Sequence, residues 1–295
     1  MPKAIAHAMP LAGHGASALE REEPERRESL RHDALARLAA TLDTKVPTDA
    51  VPPLWHWTSF LGCSPTSELG PDGHPPKSAL YPPQPRRMFA GGRMRVISPL
   101  PIEYPIVRRS TVGEVRYKQG RDGPLSFVTV THNYLVDGSL AVREEQDLVY
   151  RSEADGHSVG PARTGYQDND AARDPQWRQK RTFSAAHLFR FSALTFNAHR
   201  IHYDLPYATQ VEGYPGLVVQ GPLLAICLLD LIREDFGDFA VASLDFRATA
   251  PAFVNEELEF VGWPGADMHS IELSARRAGR QLMKATAQLS SEVGS

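Results

Sequence analysis

The 295 residues carry a formal charge of −3, with 42% hydrophobic and 23% charged residues, the balance of an ordinary globular protein. That charge gives no electrostatic reason to expect nucleic acid or an anionic membrane surface as a partner. The length accommodates two domains with substantial cores, and two distant cysteines, Cys63 and Cys227, read as reduced thiols of a cytosol-like compartment rather than a disulfide framework.

Residues 1–28 read as a disordered leader. The first nineteen residues are rich in Ala and Gly and lack both a compact apolar region and the arginines of a transit peptide, and Glu20 to Arg31 is a dense charge mixture expected to be solvated. A first amphipathic helix is predicted from Ser29, with Leu30, Leu35, Leu38 and Leu42 on one face, ended by Pro47, Pro52 and Pro53. Between Pro65 and Pro85, proline and glycine crowd together and predict a long irregular loop. Val107 to Lys118, Leu125 to Val136 and Leu140 to Tyr150 alternate or are β-branched. They are separated by Gly120-Arg121-Asp122-Gly123 and Asp137-Gly138, which predicts an antiparallel meander.

Residues 152–180 are polar and aperiodic and read as a linker between a first domain, 29–151, and a second, 181–295. In the second, a strand-like run (Arg181 to Phe196) leads through a polar loop to an apolar helix over Leu217 to Ile232. That stretch is interrupted by Gln220, Gly221, Pro222 and Asp230, which makes it too short and too polar to span a bilayer. Strands are expected at Phe239 to Ala248, Leu258 to Trp263, Ser270 to Ala275 and Leu282 to Leu289. A helix apolar nearly all round must be wrapped by the sheet, an α+β arrangement, and two such units would pair their sheets and remove an edge.

The chemistry concentrates between Phe191 and Gly221. An apolar run ends in Asn197, His199, Arg200, His202, Tyr203 and Asp204, and polar groups at the mouth of a buried scaffold are where reactive residues tend to sit. His202 is the acid/base candidate because imidazole titrates near working pH, although a histidine at such a position is commonly structural. His199, His202 and Asp204 also suggest a metal, but no second cluster with ligand spacing accompanies them, so no metal is expected. Gly221 and Pro222 place a helix start near Gly221, either as a plain start signal or as a bare N–H aimed at a carbonyl developing negative charge.

These motifs together resemble the MaoC-like, R-specific enoyl-CoA hydratase (hydratase 2) family of double hotdog proteins. The family pattern is an Asp, a His five positions on, a short loop and an apolar helix opening with His-Gly. Here Asn197 stands in the Asp position, His202 matches the His, Asp204 a frequent following Asp, and Gln220-Gly221 replaces His-Gly. The match is closer to the subfamily of mitochondrial 3-hydroxyacyl-thioester dehydratases and itaconyl-CoA and mesaconyl-C4-CoA hydratases. It extends to Pro53-Leu54-Trp55-His56-Trp57, to Leu69-Gly70-Pro71-Asp72-Gly73-His74-Pro75 and to Pro85-Arg86-Arg87-Met88-Phe89-Ala90-Gly91-Gly92.

The resemblance implies an α+β double hotdog, a hydro-lyase acting on an acyl-CoA, and no cofactor beyond the CoA of the substrate. It also implies a cytoplasmic location (mitochondrial matrix if eukaryotic) and allows a homodimer of double hotdogs. His202 is the implied base/acid and Gly221 N–H the oxyanion donor, with Asn197 limited to hydrogen bonding because an amide cannot take a proton. Asp204 and Glu212 are the possible substitutes. Arg200, where the usual pattern has proline, suits a substrate carboxylate or an ion pair with Asp204. Tyr203 and Gln220 are candidate substrate contacts, and Arg86 and Arg87 either hold CoA phosphates or are solvated. Two other readings stay open: a hotdog thioesterase, for which Asp230 is the one carboxylate well inside the helix, and a non-catalytic acyl-binding subunit.

Overall fold

Alternating β-branched and aromatic residues build two antiparallel meanders, and the computed structural model describes residues 21–120, 123–152, 166–167, 173–237, 240–267 and 269–290. The first half holds β1 (Arg21–Glu22), β2 (Arg26–Ser29), α1 (His32–Leu42), β3 (Ala50–Val51), β4 (Arg86–Val96), β5 (Leu100–Pro101), β6 (Pro105–Val112), β7 (Arg116–Gly120), β8 (Gly123–Val136) and β9 (Ser139–Arg151). The second holds β10 (Tyr166–Gln167), β11 (Trp177–Thr182), α2 (Ala185–Leu194), α3 (Gly221–Phe236), β12 (Val241–Ala248), β13 (Glu257–Pro264), β14 (Ser270–Arg277) and β15 (Arg280–Leu289).

The β8–β9 hairpin forms as the sequence dictates. Asp137 and Gly138 take φ of 48° and 78°, the left-handed pair that a tight two-residue turn needs. Along β8, Ser126, Val128, Val130, His132 and Tyr134 alternate inward. The other expected turn, at Arg121-Asp122, lies outside the described residues, as does most of 152–172.

Both meanders join in one sheet of order β1-β6-β8-β9-β4-β12-β15-β14-β13-β11, with β2 also on β6, β7 on β8 and β10 on β15. The join is the antiparallel pair β4–β12, from Ser243 opposite Arg95 to Arg247 opposite Gly91. Each half thereby covers an edge of the other, as the sequence reading anticipated. The backbones approach so closely here that a Cβ at Gly91 (φ 155°) would collide with the carbonyl oxygen of Phe246, and one at Gly92 with that of Glu145.

Helix α3 is wrapped on nearly all sides. Leu223, Leu224, Ala225, Ile226, Cys227, Leu228 and Leu229 are buried consecutively, against β11, β13, β14 and β15. It starts at Gly221 with Pro222 in its first turn, where a missing N–H costs nothing. The main core runs through both halves, from Leu35 and Leu38 of α1 to Leu188 and Phe191 of α2 and Leu223 of α3, and a smaller cluster gathers Val112, Val128, Val130, Leu148 and Tyr150. No described helix is long and apolar enough to cross a membrane.

Three expectations are corrected. The run Arg181 to Phe196 is not one strand: β11 ends at Thr182, and Ala185–Leu194 is a helix that buries Leu188, Phe191 and Ser192 at helical spacing. Its start is a capping box in which the Ser184 N–H donates to His187 Nδ1 at 3.1 Å. Histidine in the position that normally holds Glu or Gln hid the signal. Residues 21–28, expected within the leader, pair with β6 through β1 and β2 instead. Glu28 anchors them by accepting the Phe60 N–H at 2.7 Å, and Arg26 donates to the Leu61 carbonyl. Finally, α1 begins at His32, with Leu30 buried ahead of it in a bridge to Ile102.

Candidate active site

His202 ends a short 3-10 turn (Arg200–His202) and is buried together with Ile201. The turn is fixed to the segment before α3 by the Val218 N–H, which donates to the Ile201 carbonyl at 2.9 Å. His202 Nδ1 lies 2.7 Å from the Val218 carbonyl oxygen. A carbonyl can only accept, so Nδ1 carries the hydrogen and Nε2 is left with a lone pair. Burial pushes the imidazole down to about 4, against the smaller upward pull of that hydrogen bond. The ring is therefore neutral at pH 7, oriented and ready to take a proton.

Two residues beyond Val218, Gln220 caps α3. Its Nε2 donates to the Leu188 carbonyl and to Ser192 Oγ, both at 3.0 Å, which ties α2 to the start of α3. Its Oε1 is buried without a hydrogen-bond partner. As the first residue of the helix, Gly221 has an N–H with no acceptor in the helical ladder, at the positive end of the helix dipole. A Cβ at Gly221 would stand 3.3 Å from the Phe89 ring. Phe89 packs on Trp57 and Phe246, with centroids 6.0 and 5.7 Å away, and forms an apolar wall beside this N–H.

The other expected residues are placed as follows. Asn197 Oδ1 accepts the His199 N–H at 3.1 Å, closing an Asx turn that shapes the loop. Arg200 binds Asp204 through Nε (3.0 Å) and Nη2 (2.8 Å), donates from Nη1 to the Pro71 carbonyl (2.8 Å) and lies 4.1 Å over the Tyr207 ring. The ion-pair alternative for Arg200 thus describes its contacts. Asp204 also accepts the Tyr207 N–H. Glu212 is buried, accepts from the Tyr207 hydroxyl (3.2 Å) and faces Arg86 Nε at 3.5 Å. Arg86 Nη1 is buried without a hydrogen-bond partner. Tyr203 is exposed. Asp230, on which a thioesterase would depend, is paired with Arg181 (2.9 Å) and Arg233 (3.6 Å).

A cluster that the residue-by-residue reading passed over stands beside His202. The loop Gly70–His74 is closed by Gly70 N–H to the His74 carbonyl (2.8 Å) and Gly73 N–H to the Gly70 carbonyl (2.9 Å). It is clamped to the His202 loop by the Arg200 N–H, which donates to the Asp72 carbonyl at 2.9 Å. Only glycine fits at position 73, where φ is +87° and a Cβ would collide with the Ala198 carbonyl oxygen. Asp72 Oδ1 accepts the His74 N–H at 3.0 Å, and Oδ2 pairs with His74 Nδ1 at 2.7 Å. The His74 ring lies 4.0 Å from that of His199, which lies 5.4 Å from that of His202.

Donor atoms of Asp72, His74 and His199 lie within 4.8 Å of one another, close enough to hold a metal ion as well as to handle protons. Burial, followed by the neighbouring His74 and His202, pushes His199 down to about 2. Burial also lowers His74, opposed by the Asp72 hydrogen bond, while the Arg87 charge adds to the lowering. Burial raises the Asp72 carboxyl, but the hydrogen bonds from His74 outweigh it and hold the group well below the usual carboxylate range. The Asp-Gly-His spacing in a proline-rich loop was the available signal. Two clefts, one lined by Val51, Met94 and Leu100 and the other by Trp55, Leu229 and Arg233, contain none of these residues.

Comparison with known proteins assigns the chain to a family. The sequence profile of hydroxyacyl-thioester dehydratase type 2 matches residues 54–254. A mesaconyl-C(4)-CoA hydratase of Chloroflexus aurantiacus is 42% identical over 260 residues, covering 85% of this chain and 89% of the relative. The mitochondrial hydroxyacyl-thioester dehydratase type 2 of Schizosaccharomyces pombe is 27% identical over 74% of this chain and 79% of its own. Among solved structures, a MaoC-like dehydratase from Phytophthora capsici superposes with a TM-score of 0.67 at 13% identity, over 94% of this chain and 98% of that one. HtdX of Mycobacterium tuberculosis does so with a TM-score of 0.65 at 16% identity, over 91% and 99%. These likenesses establish the hotdog fold, and the profile, which spans more than half of the chain, establishes the family: the chain belongs to the hydroxyacyl-thioester dehydratase type 2 family.

Proposed function

We propose that this protein reversibly adds water across the 2,3 double bond of an enoyl-CoA, with a short, branched dicarboxylic acyl group of the mesaconyl type as the preferred substrate. One observation carries the chemistry: a buried, neutral His202 whose tautomer is fixed by the Val218 carbonyl, three residues before the unpaired N–H that opens α3. His202 Nε2 takes a proton from water as its oxygen attacks the β-carbon. The π electrons move onto the thioester oxygen, and the Gly221 N–H stabilises the charge that develops there. The reverse path is dehydration. No cofactor takes part, and CoA enters as part of the substrate.

The preference for an acidic acyl group rests on the 42% relative, whose name specifies mesaconyl-C(4)-CoA, and on the cations near the site. Because Arg200 is held by Asp204 and Pro71, Arg87, whose charge reaches His74 and His199, is the better candidate for a substrate carboxylate. The fission yeast relative supports a second reading, dehydration of a 3-hydroxyacyl thioester with an aliphatic chain. A panel of enoyl-CoAs of graded length, with and without a distal carboxylate, separates the two. A kcat/KM highest for the carboxylated C4–C5 members is expected, and a steady rise with aliphatic length would instead favour the second. We further propose an aqueous compartment, cytoplasm or mitochondrial matrix, and a homodimer of double hotdogs, for which light scattering should give about 65 kDa, twice the 32.6 kDa chain.

A further inference from the structure

Addition of water needs two proton movements, off the water and onto the α-carbon, and Asn197 can perform neither. The two carboxylates nearest in sequence are engaged elsewhere, Asp204 with Arg200 and the Tyr207 N–H, Glu212 with Tyr207 and Arg86. The first half of the chain supplies what is missing. The Gly70–His74 loop seats an Asp–His pair against His199, and His199 stands edge-on to His202. The loop cannot drift away, because the Asp72 carbonyl accepts the Arg200 N–H, the Pro71 carbonyl accepts from the Arg200 guanidinium, and Gly73 lies directly on Ala198.

We propose that His74, oriented by Asp72 and linked through His199 to His202, is the second proton-handling group of the reaction and replaces the carboxylate that Asn197 lacks. The proposal rests on the hydratase reading above. In hydration, one O–H bond of water breaks as the Cβ–O bond forms, and that proton goes to His202 Nε2. That proton passes from His202 through His199, by way of bridging water, to His74 Nε2. The resulting imidazolium gives it to the α-carbon as the enolate electrons held at the Gly221 N–H form the Cα–H bond, which returns both histidines to their neutral forms. Asp72 acts as a positioning residue, since its carboxylate accepts Nδ1–H and steadies the imidazolium. The charged and titratable groups acting on His74 are Asp72, Arg87 and Lys77, with His199 and His202 on the facing loop. Dehydration runs the same steps backwards.

The test compares H74Q, D72N, D72E and H202A in the full chain, with melting temperature as a control for folding. It measures hydration of mesaconyl-C4-CoA and crotonyl-CoA, pH profiles, and exchange of the product's α-hydrogen with D2O. H74Q is expected to lower kcat by about 10²–10⁴-fold with KM changed only a few-fold, and to suppress α-hydrogen exchange. D72N should shift the His74 limb of the profile to lower pH, because a negative neighbour is lost, and D72E should restore it; this arm reads the pair even if H74Q does not fold. Wild-type kcat and exchange in H74Q, while H202A is inactive, would overturn this inference alone. So would a stoichiometric divalent metal bound by Asp72, His74 and His199 whose removal by chelator abolishes activity. A wild type that hydrates no enoyl-CoA would overturn the hydratase reading and this inference with it.

Discussion

At the scale of single residues, His202 is held by opposing influences. Burial drives its pKa to about 4, while the hydrogen bond to Val218 fixes which nitrogen is free. Since the group is depressed, it becomes protonated in the folded enzyme only as the pH falls through about 4. The acid limb of kcat/KM that belongs to His202 should therefore lie well below the ordinary histidine value of about 6.5, and a limb near 6.5 that persists in H74Q would mean that His202 is not the base. The Gly221 N–H makes a separate prediction. G221A retains the N–H but brings a Cβ to 3.3 Å from Phe89, so the ring or the helix start must shift. We expect kcat to fall about ten-fold or more while the melting temperature changes little, read by steady-state kinetics. His202 and Gly221 were legible in the sequence because both lie in one short stretch. His74 lay within the matched stretch Leu69 to Pro75, but its place beside His202 was not legible, because His199 is far along the chain and only the fold brings the two loops together.

At the scale of elements, the β4–β12 seam brings two backbones into close approach, and a buried carboxylate network lies on the neighbouring strand β9. Glu144 on β9 is completely enclosed. It accepts from Trp57 Nε1 (2.7 Å), Gln146 Nε2 (2.6 Å) and the Tyr134 hydroxyl (3.2 Å) and pairs with His56 Nε2 (2.9 Å). Burial raises its pKa, but the hydrogen bond and charge of His56, followed by His132 and Gln146, outweigh it and hold the carboxyl down to about 2. A depressed carboxylate contributes stability that is present above its unfolded pKa, near 4.5, and is lost as the pH falls towards 2. Urea titrations at stepped pH should show that loss in the wild type and a flatter dependence in E144Q. E144A, which leaves buried His56 and half-buried Trp57 without their acceptor, should cost about 3–5 kcal/mol. At the seam, G91A is expected to destabilise by more than about 1 kcal/mol in the same assay, because φ is 155° and the Phe246 carbonyl leaves no room. The strand order and α3 were readable from alternation and from an all-apolar run. The α2 helix was hidden because its cap uses His187, and β1 and β2 because their highly charged residues pair along a sheet edge.

At the scale of the whole molecule, the site draws on both halves. Asp72, His74 and Phe89 come from the first, and His202, Gln220 and Gly221 from the second, with one continuous sheet holding the two in register. The double hotdog is thus the smallest unit that contains every group the proposed reaction requires. Whether a single buried histidine initiates water addition to an enoyl-CoA is read from the rate of mesaconyl-C4-CoA hydration by wild type and by folded H202A. Measurable turnover in the wild type and a loss of about 10²–10⁴-fold in the variant are expected. Turnover in H202A equal to that of the wild type would contradict this role of the histidine.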